Sequence, residues 1–194
     1  MIMTVQKTKN AIFPLLTEPN MTLRRVAAVI EPDKIATPEI QELISAMKET
    51  LRHAEDGVGL AAPQIGKSIR LFLVSEEALT LDRGEKTDAD GAKNGQQKKE
   101  WQHIVFINPE IKKMSSKKTD MVEGCLSVPG KFGIVSRPEK ITVAWLDEFG
   151  KKHLRGASKF FSRVIQHETD HLNGILFIDK VKKFIEIPKE KSKL

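Results

Sequence analysis

One cysteine, few aromatic residues and no long apolar run set the first limits on this 194-residue chain. Cys125 has no second cysteine to pair with, which excludes an intrachain disulfide; such a lone cysteine serves either as a small buried hydrophobe or as a metal ligand. No stretch approaches the roughly 20 apolar residues that span a bilayer, and Met1 to Asn10 lacks the apolar core of a signal peptide. A cytoplasmic chain is therefore expected, an organellar one after loss of a transit peptide being the other option, with no membrane partner. Aromatic residues make up only 6% and form no stacking motif for single strands, so no sequence-specific nucleic-acid role is expected. No internal repeat is evident.

What is present suits one sizeable globular domain. Hydrophobic residues account for 40% and charged residues for 30%, with 12 glycines and 9 prolines. We expect a single domain over residues 1–179 and a Lys-rich tail over 180–194. A polar stretch at about 75–102, richest in Asp, Lys, Gly and Gln between Arg83 and Glu100, reads as an exposed insertion. The formal charge is +6 and the pI about 9.3, which favours approach to polyanions such as ribosomes. Part of that excess is local, in Lys180, Lys182, Lys183, Lys189, Lys191 and Lys193.

The richest five residues are His167-Glu168-Thr169-Asp170-His171. On a helix, histidines four apart project from nearly the same side. Both imidazoles can then reach one metal ion, with Glu168 beside them as a base for an activated water. The helix itself is well marked. Ser158 stands at its N-cap, Phe160, Phe161, Val164, Ile165 and Leu172 recur at helical spacing, and Gly174 ends it. Phe160, Val164, His167 and His171 share one face, which places the histidines inside the protein. The bland alternative is a surface helix with two incidental histidines.

Elsewhere the pattern is of short strands. Thr37 and Pro38 open an amphipathic helix through Ile40, Leu43, Ile44, Met47 and Leu51, ending near Asp56-Gly57. A Gly- and Ala-rich loop over 57–66 follows, then a strand from Ile69 to Val74. Further strands are expected at 104–107, 110–114, 119–123, 133–136, 140–146 and 152–156, with a hairpin turn at Glu148-Phe149-Gly150, and a short one at 175–178. Strands around two helices without regular alternation indicate an α+β fold, mostly antiparallel, surrounding the helix of the His-Glu-x-x-His motif.

The third metal ligand separates the alternatives. A metzincin pattern would need His at position 177, which is Phe177, and the downstream Glu186 and Glu190 lie in the basic tail. His53, His103 and His153 lack ligand spacing. Cys125, in Glu123-Gly124-Cys125-Leu126-Ser127, is the best partner, giving a Cys-His-His site with an open fourth position. Gly57-x-Gly59 fails as a nucleotide loop because a helix precedes it and a strand follows. It suits close backbone approach to a substrate, and Gln64 behind it either donates to an oxyanion or is merely an exposed side chain.

Three blocks, Gly57-Val58-Gly59-Leu60-Ala61-Ala62-Pro63-Gln64, Glu123-Gly124-Cys125-Leu126-Ser127 and His167-Glu168-Thr169-Asp170-His171, resemble in order the three signature motifs of peptide deformylases, and Ile107-Asn108-Pro109 also looks like that family. The resemblance runs from about Leu23 to Asp179. It implies a metal-dependent hydrolase that removes the formyl group from the N-terminal methionine of nascent proteins, acting on N-formyl-methionyl peptides and working transiently at the ribosome. It further implies that Cys125, His167 and His171 bind one divalent ion, Fe(2+) in cells, with Zn(2+), Ni(2+) or Co(2+) in purified forms. Glu168 would be the general base and acid, and Gln64 with the backbone N–H of Leu126 the oxyanion site. By position relative to the motifs, Val58, Gly59, Met121, Gly124, Phe160 and Val164 would contact substrate, with Arg163 at the pocket rim and Asp170 orienting a ligand or loop. Thr169 stands where the family usually has an apolar residue, and the long C-terminal helix of some bacterial members is missing.

Overall fold

A run of five apolar or small residues, Leu71-Phe72-Leu73-Val74-Ser75, is buried on both sides and forms the centre of the fold. Alternate side chains of a strand point to opposite faces. Leu71 and Leu73 accordingly join one apolar cluster, while Phe72 and Val74 join another. A sheet buried on both faces needs a covering layer on each, and two helices supply them. The computed structural model describes residues 12–54, 57–79 and 102–186.

The main sheet has five antiparallel strands in the order β1 (Gly59–Ala61), β2 (Leu71–Ser75), β3 (His103–Met114), β6 (Lys140–Leu146), β7 (Lys152–Ser158). On one face lies helix α1 (Pro38–His53), which contributes Ile44, Met47 and Leu51 against Leu60, Leu71, Leu73, Val105 and Ile107. On the other lies helix α2 (Lys159–Leu172), whose Phe161, Val164, Ile165 and Leu172 pack on Phe72, Val74, Phe106, Ile141 and Val143. The opposite flank of α2 meets a second antiparallel sheet of three strands, ordered β4 (Lys118–Glu123), β5 (Phe132–Pro138), β8 (Val181–Ile185). Between two sheets, α2 is buried except at Lys159, Phe160 and His167. The expected α+β architecture around the motif helix is present.

Several local expectations need correction. The 57–66 segment is not all loop: Gly59–Ala61 pairs with Phe72–Val74 as β1, and Ala62–Ile65 winds into a 3-10 turn. The two strands expected at 104–107 and 110–114 are one strand, β3, with register shifts where Asn108 takes a positive φ of 49°. Residues 175–178 are not a strand; Phe177–Asp179 is a 3-10 turn over the third apolar cluster of Leu23, Val128, Val135 and Leu176. The tail does not begin at 180, because Val181–Ile185 pairs with β5. Most of the 75–102 insertion (residues 80–101) and the end of the tail (187–194) lie outside the described residues.

The caps fall at the expected residues with altered chemistry. Ser158 and Thr37 occupy their N-cap positions, but neither side chain makes the capping bond; the Thr37 hydroxyl donates to Lys34 O instead. At the other end of α2, Gly174 adopts φ +72°, and a Cβ there would come within 2.5 Å of Arg24 O. Both the left-handed turn and the neighbouring chain require glycine.

Candidate metal centre and active site

Helix α2 carries His167 and His171 on the side facing the loop after β4, and that loop delivers Cys125. One ligand atom from each of the three lies within 4.8 Å of the others, and Cys125 Sγ is 3.2 Å from His171 Nε2. The imidazole rings are set edge to face, centroids 5.1 Å apart. Two N–H donors also point at the sulfur, from Ser127 N at 3.4 Å and Gln64 Nε2 at 3.7 Å. The sequence-predicted trio is therefore assembled from two elements 42 residues or more apart in the chain.

The protein prepares the two histidines differently. Burial, aided by His167 and Arg137, holds His171 well below the usual histidine range, leaving a neutral ring with a lone pair to offer. Burial opposes a charge on His167 too, but Cys125 and Glu123 outweigh it and raise the pKa to about 10 among the protein groups alone. To hold a divalent cation, His167 would have to give up that proton, as ligation requires. Glu123 Oε2 lies 3.0 Å from His167 Nδ1, which leaves Nε2 to face the sulfur and the metal position. His171 Nδ1 and Glu168 Oε2 are buried with no hydrogen-bond partner among the described residues. Thiolate, two imidazoles, a fixed ring tautomer and unspent polar atoms beside them fit a transition-metal ion such as zinc or ferrous iron.

Glu168 is buried on α2 against β1, its Oε1, Cδ and Cγ filling the place a side chain at Gly59 would take. Burial pushes its pKa up to about 7; a neighbouring divalent cation acts in the opposite direction. Gln64 is buried and oriented: Oε1 accepts from Ala61 N at 2.7 Å, which turns Nε2 toward Ser127 Oγ at 3.2 Å and toward Cys125. Among the described residues the Leu126 N–H has no acceptor. Gln64 is thus a directed donor, not an exposed side chain.

The expected substrate contacts divide. Val58 and Phe160 pack against the cluster that holds Val164, and Gly59 abuts Glu168. Gly124 lies under the ring of Phe132, where a Cβ would come within 2.7 Å. Met121 is on β4 opposite Val135 and partly exposed. Arg163 is not at a pocket rim. It is buried, ion-paired to Glu123, and donates to Val135 O at 3.0 Å and Thr119 O at 2.7 Å. Thr169 turns its hydroxyl to Ile165 O, away from the metal ligands.

Glu123 and Arg137 were missed as functional residues. Arg137 grips both oxygens of Glu123, Nε at 2.6 Å and Nη2 at 2.9 Å, and donates from Nη1 to Asp170 at 2.7 Å. Burial opposes the charge on Glu123, but Arg137 and His167 hold its carboxyl well below the usual carboxylate range. A signal was available: Gly133, Val135 and Arg137 alternate along β5, so the strand pattern carries an arginine onto a buried face, where it must be paired.

The chain is similar to known proteins over most of its length. The family model for polypeptide deformylase matches residues 12–186. The chain is 38% identical over 172 residues to a peptide deformylase of Leptospira biflexa, covering 89% of each protein. Its structure is similar to the class I type b peptide deformylase of Acinetobacter baumannii with Met-Ala-Ser bound, at 31% identity and a TM-score of 0.74, covering 89% of this chain and 99% of that one. The peptide deformylase of Thermotoga maritima superposes with a TM-score of 0.71 at 31% identity, with the same coverage.

Proposed function

The chain belongs to the polypeptide deformylase family and removes the N-formyl group from nascent proteins; on that premise we propose how its residues divide the work. Cys125, His167 and His171 hold a divalent ion. That ion supplies Lewis-acid polarisation of the formyl oxygen and lowers the pKa of water. The observation that carries this reading is the convergence of one cysteine sulfur and two imidazoles beside Glu168 Oε2, which has no partner among the described residues.

Glu168 accepts the proton of the attacking water, and the new C–O bond forms at the formyl carbon. The C–N bond then breaks, formate departs, and Glu168 returns the proton to the leaving amine. Gln64 Nε2 and the Leu126 N–H donate to the formyl oxygen as negative charge develops there. Gln64 Nε2 faces Cys125 at 3.7 Å, and Leu126 is the next residue in the chain after that cysteine, so both donors lie at the sulfur end of the site.

The outer edge of β1, next to Glu168, offers backbone groups to an extended peptide. Val58, Phe160 and Val164 receive the methionine side chain, with Gly59, Met121 and Gly124 around the peptide. Met-Ala-Ser bound to the Acinetobacter baumannii relative is the size of peptide this arrangement accommodates. Fe(2+) is the ion we propose in the cell, where availability decides occupancy, although by intrinsic affinity a Cys-His-His set binds Zn(2+), Ni(2+) or Co(2+) more tightly. The ribosome is the proposed transient partner and the cytoplasm the proposed location. Among the described residues no helix is long and apolar enough to cross a membrane.

Formate release from formyl-Met-Ala-Ser tests the assignment, with native protein and Glu168→Gln compared at equal metal content. The native enzyme should turn over and the variant should fall by about 100- to 10,000-fold while keeping its metal. Equal rates would remove Glu168 from the mechanism.

A further inference from the structure

Lys180 stands where the C-terminal strand meets the motif helix. It immediately precedes β8, its side chain is 39% exposed, and its Nζ donates to both oxygens of Asp170, at 2.6 and 2.7 Å. Asp170 sits on α2 between the two histidine ligands in sequence, and its Oδ2 also accepts from Arg137 Nη1 at 2.7 Å. The same guanidinium holds Glu123 through two bonds, and Glu123 holds Nδ1 of His167. Five side chains on four segments therefore connect a partly exposed lysine to the ring of a metal ligand.

We propose that Lys180 is a positioning residue: through Asp170, Arg137 and Glu123 it fixes the ring of His167 and makes β8 part of the metal site. The proposal rests on the reading of Cys125, His167 and His171 as ligands. Its physical basis is the shape of the guanidinium. Arginine is a rigid planar fork, so the plane set by its Asp170 bond also sets the plane of its paired bonds to Glu123. Asp170 can anchor that fork only if its own carboxylate is held, and Lys180 holds both of its oxygens. Loss of the lysine frees Asp170 to turn, and the slack passes to the carboxylate that orients His167.

The sign of the effect separates positioning from simple electrostatics. Lys180 is a cation, so removing it relieves repulsion toward a bound divalent ion and would by charge alone tighten the metal. Positioning demands the reverse. Support for a histidine ligand from groups behind it is typically worth about 10- to 100-fold in metal affinity.

The test uses the full chain loaded with Ni(2+) and challenged with excess chelator, following metal loss and, separately, formate release. Lys180→Met should lose Ni(2+) about tenfold faster than native and lower kcat with little change in KM, and Lys180→Arg should restore both. Lys182→Met is the control, since Lys182 is on the same strand but pairs with the exposed Asp120 at 2.9 Å; it should keep Ni(2+) as native does. Should Lys180→Met fail to fold, Asp170→Asn takes its place with the same expected loss. Metal retention equal to or longer than native, equal loss from the Lys182 variant, or no rescue by arginine would each overturn the proposal. Native protein that takes up no Ni(2+) would overturn the metal-site reading itself, a result visible before any variant is compared.

Discussion

Gly59 and Glu168 are fitted to one another: a Cβ built on Gly59 would come within 2.8 Å of the Glu168 carboxyl carbon and collide with its Oε1. The glycine sits on a buried edge strand and the carboxylate on the motif helix. The clearance between them is what allows an ionisable side chain to stand in a packed core next to His167.

Gly59→Ala therefore should act on catalysis more than on folding. The added methyl group must push Glu168 away from its place, because the strand is held by its pairing with β2. We expect kcat to fall by about 100-fold or more, approaching the loss for removal of a general base, with metal content unchanged. Steady-state formate release and metal analysis on the same preparation check this; an unchanged kcat would mean the carboxylate can work from a displaced position.

Gln64 offers a cleaner separation of donor from scaffold. Its Oε1 supports the Ala61 N–H and its Nε2 faces Cys125. Gln64→Glu keeps an acceptor for Ala61 but replaces the donor with an anion. Losing one such donor to a developing oxyanion costs roughly 100- to 1,000-fold in kcat, and the melting temperature should move little by comparison. A loss confined to KM would instead assign Gln64 to ground-state binding.

The parts of this site that were legible in the sequence are those whose logic is local. His167 and His171 are one helical turn apart, and the helix around them announces itself through Phe161, Val164, Ile165 and Leu172 and its stop at Gly174. Cys125 followed from ligand chemistry once the metal was suspected. What was not legible depends on pairing between distant segments. Gly59–Ala61 is too rich in small residues to read as a strand and becomes one only against β2. Val181–Ile185, with Lys182 and Lys183 inside it and Lys180 before it, reads as solvated tail until β5 offers it an edge. The Glu123–Arg137–Asp170 chain is the same case in side chains, since charged residues on three elements carry no shared local pattern.

That chain is a stability element as well as a positioning one. Arg137 is 3% exposed and bonds to two carboxylates. Truncating it to methionine leaves Glu123 with Arg163 and His167 and Asp170 with Lys180, but removes the buried cation that bridges the two carboxylates. Breaking a buried pair by removing one partner typically costs about 3–5 kcal/mol. Urea unfolding of Arg137→Met should fall in that range, whereas Lys182→Met, at the exposed pair with Asp120, should change stability by less than about 1 kcal/mol. A small effect at Arg137 would show that Arg163 and His167 suffice for Glu123.

Asp179 provides a pH-dependent contribution whose sign can be worked out. Burial opposes its ionisation, but Arg24 and the Leu176 N–H both donate to it and carry its pKa below the ordinary value of 3.8. A folded-state pKa below the unfolded one stabilises the fold fully above about pH 4, and that contribution is lost as the pH falls through the lower, folded value. The side chain is 39% exposed, so solvent screening limits the gain to roughly 0.5–1 kcal/mol. Asp179→Asn should therefore be less stable than native by that amount at pH 7, and the gap should close progressively as the pH falls below about 4. Urea midpoints across this range decide it, and a gap that stays constant into acid would show that the difference does not come from the carboxylate charge.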